Sequence, residues 1–189
     1  NNNEPVILEW NNNAGIIFKK KIELDNKYLF KITQEVQNNT SQSIDLYPYA
    51  QITRNKIPDD IQNFYISHEG FIGVFDEELQ EDDYDDIEEN KIVREANEGW
   101  FGITDKYWMT AVVPKKGENF KSTFLYKDSF KANYILNNPT TINSSSSNSN
   151  EVRLFVAAKE VDTIDTYAAK QNIEKFDLVI DWGWFYFFT

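Results

Sequence analysis

The feature that most constrains this chain is its punctuation. Short apolar or alternating runs recur at intervals of about 8–12 residues, separated by Asn, Asp, Gly, Ser and Pro, until about residue 160. Residues 16–24 and 27–37 alternate in the manner of strands, and Asn38-Asn39-Thr40-Ser41 supplies turn chemistry. Residues 43–54 resume a strand, with Ile44, Leu46, Tyr49 and Ile52 as apolar marks, and the spacing predicts a long hairpin over this region. Further strands are predicted at residues 70–75, 91–95, 100–104, 107–113, 120–127, 131–136 and 151–158. The Asn-Ser-rich stretch 143–150 has the composition of a flexible surface loop. The opening residues are Asn-rich and are assigned no element.

The period then changes. Val161, Ile164, Tyr167 and Ala168 fall on one helical face, so residues 160–172 are predicted to form one amphipathic helix that docks through that face. Phe176 to Ile180 is apolar, and residues 182–188 are almost wholly aromatic. Together these patterns predict a mainly β chain: an antiparallel β-sandwich over residues 1–158, with a helical tail over 159–189 in the same module. The abrupt ending on an aromatic run reads as a cut from a longer protein.

Composition narrows the chemistry. There is no Cys in 189 residues, which removes disulfides, thiolate nucleophiles and Cys-based metal sites. One His, His68, leaves no two-imidazole site, and its loop context makes it a poor general base. A pI near 4.5 argues against nucleic-acid binding. The net charge of −12 is concentrated: ten of the fourteen residues 76–89 are acidic, and removing them leaves −2. That run lacks the Gly and the alternation of a calcium loop, so it is expected to be a solvated, partly mobile connection facing away from any anionic bilayer. The longest apolar run, 182–188, is far shorter than the ~20 residues that span a bilayer. Nothing singles out a catalytic residue, a cofactor or a metal ligand.

Four stretches are similar to one family, in its order. Gly99-Trp100-Phe101-Gly102-Ile103, followed by Lys106-Tyr107-Trp108 and Ala111-Val112-Val113-Pro114, resembles the GWxGIxxKYFxxAxIP stretch of the YidC membrane protein insertases. Residues 28–54, ending in Tyr47-Pro48-Tyr49-Ala50-Gln51-Ile52-Thr53-Arg54, resemble that family's long first hairpin. Gly70-Phe71-Ile72-Gly73-Val74-Phe75 with Leu79 and Tyr84 resembles its GxIGVLDxxLxExxY segment. Phe176 to Phe185, with Asp181-Trp182-Gly183-Trp184-Phe185, resembles its entry to the membrane part. The family's Gly-Pro-Lys-Glu is replaced by Ala157-Ala158-Lys159-Glu160.

The resemblance implies a periplasmic domain of the bacterial inner membrane, a mutarotase-like β-supersandwich. It would be non-enzymatic and cofactor-free, with nascent membrane proteins, the Sec translocon and the membrane as partners. The candidate partner or membrane interface is Tyr167, Phe176, Asp181, Trp182, Gly183, Trp184 and Phe185. Tyr47, Tyr49, Trp100, Tyr107 and Trp108 are candidate cleft aromatics, with sandwich core as the competing assignment for such side chains. The competing function is a carbohydrate- or peptide-binding sandwich on an envelope protein.

Overall fold

The computed structural model describes residues 4–58 and 68–180. The strands are β1 (Val6–Asn11), β2 (Ile16–Leu24), β3 (Leu29–Asn38), β4 (Ile44–Leu46), β5 (Tyr49–Arg54), β6 (Gly70–Phe75) and β7 (Glu78–Asp82). After helix α1 (Tyr84–Glu89) follow β8 (Ile92–Ala96), β9 (Gly99–Thr104), β10 (Trp108–Pro114), β11 (Phe120–Tyr126), β12 (Phe130–Leu136), β13 (Thr140–Ile142) and β14 (Ser146–Ala158). Helix α2 (Val161–Lys170) and a 3₁₀ turn (Phe176–Val179) close the chain.

An eight-stranded sheet runs β1-β2-β3-β14-β10-β9-β6-β7, a four-stranded sheet β5-β12-β11-β8, and β13 pairs with β4. Every strand pairing described is antiparallel. Because successive side chains point to opposite faces, β6, β9 and β10 can fill two cores at once. Phe71, Phe75, Phe101, Ile103 and Val112 face the four-stranded sheet and meet Phe120, Phe124, Phe130 and Tyr134. Their neighbours Ile72, Val74, Trp100, Met109, Ala111 and Val113 face the other way and meet Ile164, Tyr167, Ile173, Phe176 and Val179. The molecule therefore has three layers: small sheet, large sheet, helical tail. The antiparallel sandwich with a C-terminal helix is as expected, and α2 lies inside the predicted helix.

Several expectations are corrected. Residues 43–54 are not one strand: Tyr47-Pro48 interrupts them, and β4 and β5 join different sheets. Pro48 has no N–H to give a ladder, which is why the run breaks there. Nor do they pair with β3, whose partners are β2 and β14. The supposed loop 143–150 is mostly strand: Ser146 to Asn150 pair with Asn38 to Gln34. Ladder hydrogen bonds to β3 here outweigh the loop-like composition. The acidic run is not an unstructured connection either. It forms β7 and α1, held because Tyr84 and Ile87, three apart, bury 97% and 99% of their surface against the small sheet's core. The opening residues form β1, an element not anticipated.

Gly102, the second glycine of the first family stretch, is fixed by close approach. A methyl group there would sit 1.9 Å from the Thr110 carbonyl oxygen.

Candidate functional site

The helical tail is bound to the sandwich by both apolar and polar contacts. Phe176 is fully buried and stands edge-on to Trp100 and Phe155, each ring centroid 5.3 Å away. Trp100 Nε1 donates to the Glu174 carbonyl at 3.1 Å. Ile164 and Tyr167 are buried as expected of the docking face, whereas Val161, expected to dock with them, is exposed in the first turn of the helix. The Tyr167 hydroxyl donates to the Asp25 carboxylate, 2.8 Å from both oxygens. Asp25 also accepts from the Lys27 and Leu29 amides, so one carboxylate caps the β2–β3 turn and anchors α2. Burial, and then the hydrogen bond to that carboxylate, push the Tyr167 phenol well above its ordinary range.

At the foot of the tail, Glu77, Glu98 and Glu174 converge within 4.8 Å. Lys116 meets Glu98 at 2.8 Å and Glu174 at 3.3 Å, and Lys175 meets Glu77 at 3.9 Å. The trio is an ion-pair network that ties the tail to the β6–β7 turn. Of the predicted interface residues, Tyr167 and Phe176 are thus interior contacts of this domain. Asp181, Trp182, Gly183, Trp184 and Phe185 lie outside the described residues.

The five cleft aromatics do not share a cleft. Trp100 is core. Tyr107 and Trp108 are 64% and 62% exposed at the far end of β14, where Trp108 pairs with Ala158. Tyr47 is exposed on the β4–β5 connection. Only Tyr49 lines the main groove, its hydroxyl donating to Asn133 Oδ1 at 3.0 Å.

That groove, with a volume of about 470 Å³, lies where the large sheet extends past the small one. Its floor carries Leu8, Trp10, Phe18 and Val36; its wall is Leu46, Pro48, Tyr49 and Ile142. Its inner end reaches Asn150, which donates to both Glu118 carboxylate oxygens at 3.3 and 3.2 Å. Among the described residues, the buried Asn150 Oδ1 and Tyr134 hydroxyl meet no group in full hydrogen-bonding geometry, although the Asn150 side chain acts on the Tyr134 phenol. Desolvation holds the Glu118 carboxyl above its ordinary value, against the pull of the Asn150 amide. No sequence pattern pointed to this groove, because its residues come from strands far apart in the chain.

His68 sits just before β6, its side chain 11% exposed, and its Nε2 lies 2.8 Å from the Phe71 carbonyl oxygen. That contact occupies the imidazole in holding the strand start. The most buried ion pair among the described residues is Arg94 with Asp82, forked at 2.7 and 2.8 Å, with the guanidinium over Phe75 and Phe124. It is structural, joining β7 to β8.

A two-sheet antiparallel sandwich with one helical layer defines a mutarotase-like β fold. A galactose mutarotase related enzyme from Lactobacillus acidophilus superposes with a TM-score of 0.58 over 82% of this chain and 70% of that one. At 11% identity this likeness concerns the fold alone. The whole chain, residues 1–189, matches the family model of the YidC periplasmic domain, and the chain belongs to that family. Membrane protein insertase YidC of Pelagibacter ubique is 48% identical over 188 residues, covering 100% of this chain and 34% of that protein. The YidC insertase of Brucella melitensis is 38% identical over 191 residues, covering 98% of this chain and 31% of that protein. The chain thus spans about a third of the length of these relatives. Among the described residues, no helix is long and apolar enough to cross a membrane.

Proposed function

We propose that this chain is the non-enzymatic periplasmic accessory domain of an inner-membrane protein insertase, and that it works by protein contact. Its partners are nascent membrane proteins, with a chaperone role in their folding, and components of the Sec translocon. The observation that supports this reading is similarity along nearly all of this chain to about a third of proteins named as membrane protein insertases. The site chemistry supports it. Most of the groove's exposed lining is apolar; Glu9 and Lys19, which also line it, pair with each other, and the Asn150 amide at its inner end is held by Glu118. Sugar chemistry needs polar groups aimed at hydroxyls, so the lining favours a polypeptide over a carbohydrate.

In this reading the tail is the mechanical link. Tyr167, Ile164 and Phe176 fix it to the sandwich, and Asp181-Trp182-Gly183-Trp184-Phe185 leads towards the membrane, where Trp rings favour the headgroup zone. The test uses the full-length protein. With Trp184→Ser and Phe185→Ser together, insertion of a membrane substrate, read by protease protection, is expected to fail while melting of the isolated domain barely moves. A large melting loss with insertion intact would reverse the assignment.

A further inference from the structure

Strand β1 is an unprotected sheet edge. It pairs with β2 on one side, and no strand among those described pairs with its other side. All six residues are exposed, including Val6, Ile7, Leu8 and Trp10 at 54–62%. Edge strands are usually blunted by Pro, Lys or a bulge. β1 has none of these: its register with β2 is continuous, and its single charge, Glu9, is neutralised by Lys19 at 3.4 Å. The opposite edge of the same sheet, β7, carries three acids in five residues. The two edges are treated differently, and the bare one borders the apolar groove.

Parity decides what a pairing strand meets. Leu8 and Trp10 share a face with Phe18 and Lys20, their partners across β2, and that face lines the groove. The Trp10 and Phe18 rings lie 5.4 Å apart. Charge then selects the occupant. Of the three lysines of β2, Lys19 is paired with Glu9 and Lys21 with Glu23. Lys20 is on the groove face with no ion-pair partner among the described residues. A second copy of β1 would bring Val6, Leu8 and Trp10 to that face and no carboxylate, leaving Lys20 unanswered.

We propose that β1 is a strand-addition site. An extended segment of another polypeptide, apolar at alternate positions and bearing a carboxylate opposite Leu8, in the same cross-strand row as Lys20, pairs its backbone with the free edge and lays its apolar side chains into the groove. Main-chain hydrogen bonds give the affinity and the groove gives the side-chain preference. The inference deepens the protein-contact reading and rests on it.

The probe is a blocked octapeptide in which Thr alternates with Val and one Val is replaced by Glu, added to the 189-residue chain. Amide hydrogen exchange should show new protection across β1, lost when the peptide is N-methylated at alternate residues along its pairing edge. Lys20→Glu should weaken this peptide about fivefold and favour the Lys-for-Glu version instead, as expected for one exposed charge pair reversed. Equal binding of the N-methylated peptide would overturn strand pairing. Absence of β1 protection at millimolar peptide would overturn the site. β1 protection that appears with dimerisation and without peptide would replace the proposed occupant with a second copy. Each of these outcomes leaves the Trp184 and Phe185 insertion result untouched, so the two readings fail separately.

Discussion

Replacing Phe176 with Ala measures how firmly the tail belongs to the domain. Phe176 is fully buried under two edge-to-face rings, and the 3₁₀ turn that carries it spans only four residues. Truncating a buried Phe costs about 3–5 kcal/mol through lost transfer energy and the cavity left behind. The aromatic geometry places the value towards the upper half of that range, about 4 kcal/mol. For a domain of this length each kcal/mol lowers the melting temperature by about 2–4 °C, so the expected loss is about 8–16 °C. Thermal melting followed by circular dichroism, with a urea titration for the free energy, reads it. A loss below about 1 kcal/mol would refute the packing argument, because it would mean that the ring is not buried in solution. A split transition, with the tail melting before the sheets, would show that the helical layer is a separate cooperative unit.

Arg94→Met should cost about 3–5 kcal/mol, because it strands the Asp82 carboxylate, which is only 8% exposed; adding Asp82→Asn should recover part of the loss, as a double-mutant denaturation cycle would show. Glu118→Gln should stabilise the fold at neutral pH: a carboxyl whose folded pKa is raised contributes stability only below its unfolded pKa and loses it as pH rises through the folded one. The gain in melting temperature should therefore shrink towards pH 4, and a gain independent of pH would contradict this. Replacing residues 143–150 with a Gly-Ser linker should cost more than about 2 kcal/mol, because five register pairs with β3 are lost; a denaturant midpoint that did not move would restore the loop reading. Gly102→Ala should abolish or severely weaken folding, since the added methyl meets the Thr110 carbonyl; a melting curve like wild type would contradict the close approach.

The sandwich was legible because its central strands carry an unmistakable apolar signal. β6, β9 and β10 are buried on both faces, so their runs stand out wherever they fall in the chain. The tail helix was legible from the spacing of Val161, Ile164, Tyr167 and Ala168, of which all but Val161 pack on the sandwich. What misled was composition without context. Ser146 to Asn150 look like a loop until β3 presents a ladder for them, and the acidic run hides Tyr84 and Ile87 among carboxylates. Trp100 and Trp108, eight residues apart, read alike as aromatics in one motif; strand position sent one to the core and left the other exposed. The groove was not readable, because it is assembled by pairings between distant strands and its floor includes β1, a short run set between the Asn clusters 1–3 and 11–13.

In the proposed function this domain touches client membrane proteins during their insertion. A photo-activatable amino acid placed at Leu8, and separately at Trp108, in the full-length protein tests it in living cells. Both positions are exposed, at 54% and 62%, so neither should disturb the core. The account predicts crosslinks from Leu8 to nascent membrane proteins that appear only while insertion is under way. Crosslinks confined to soluble envelope proteins, or an unchanged pattern when membrane-protein synthesis is stopped, would contradict it.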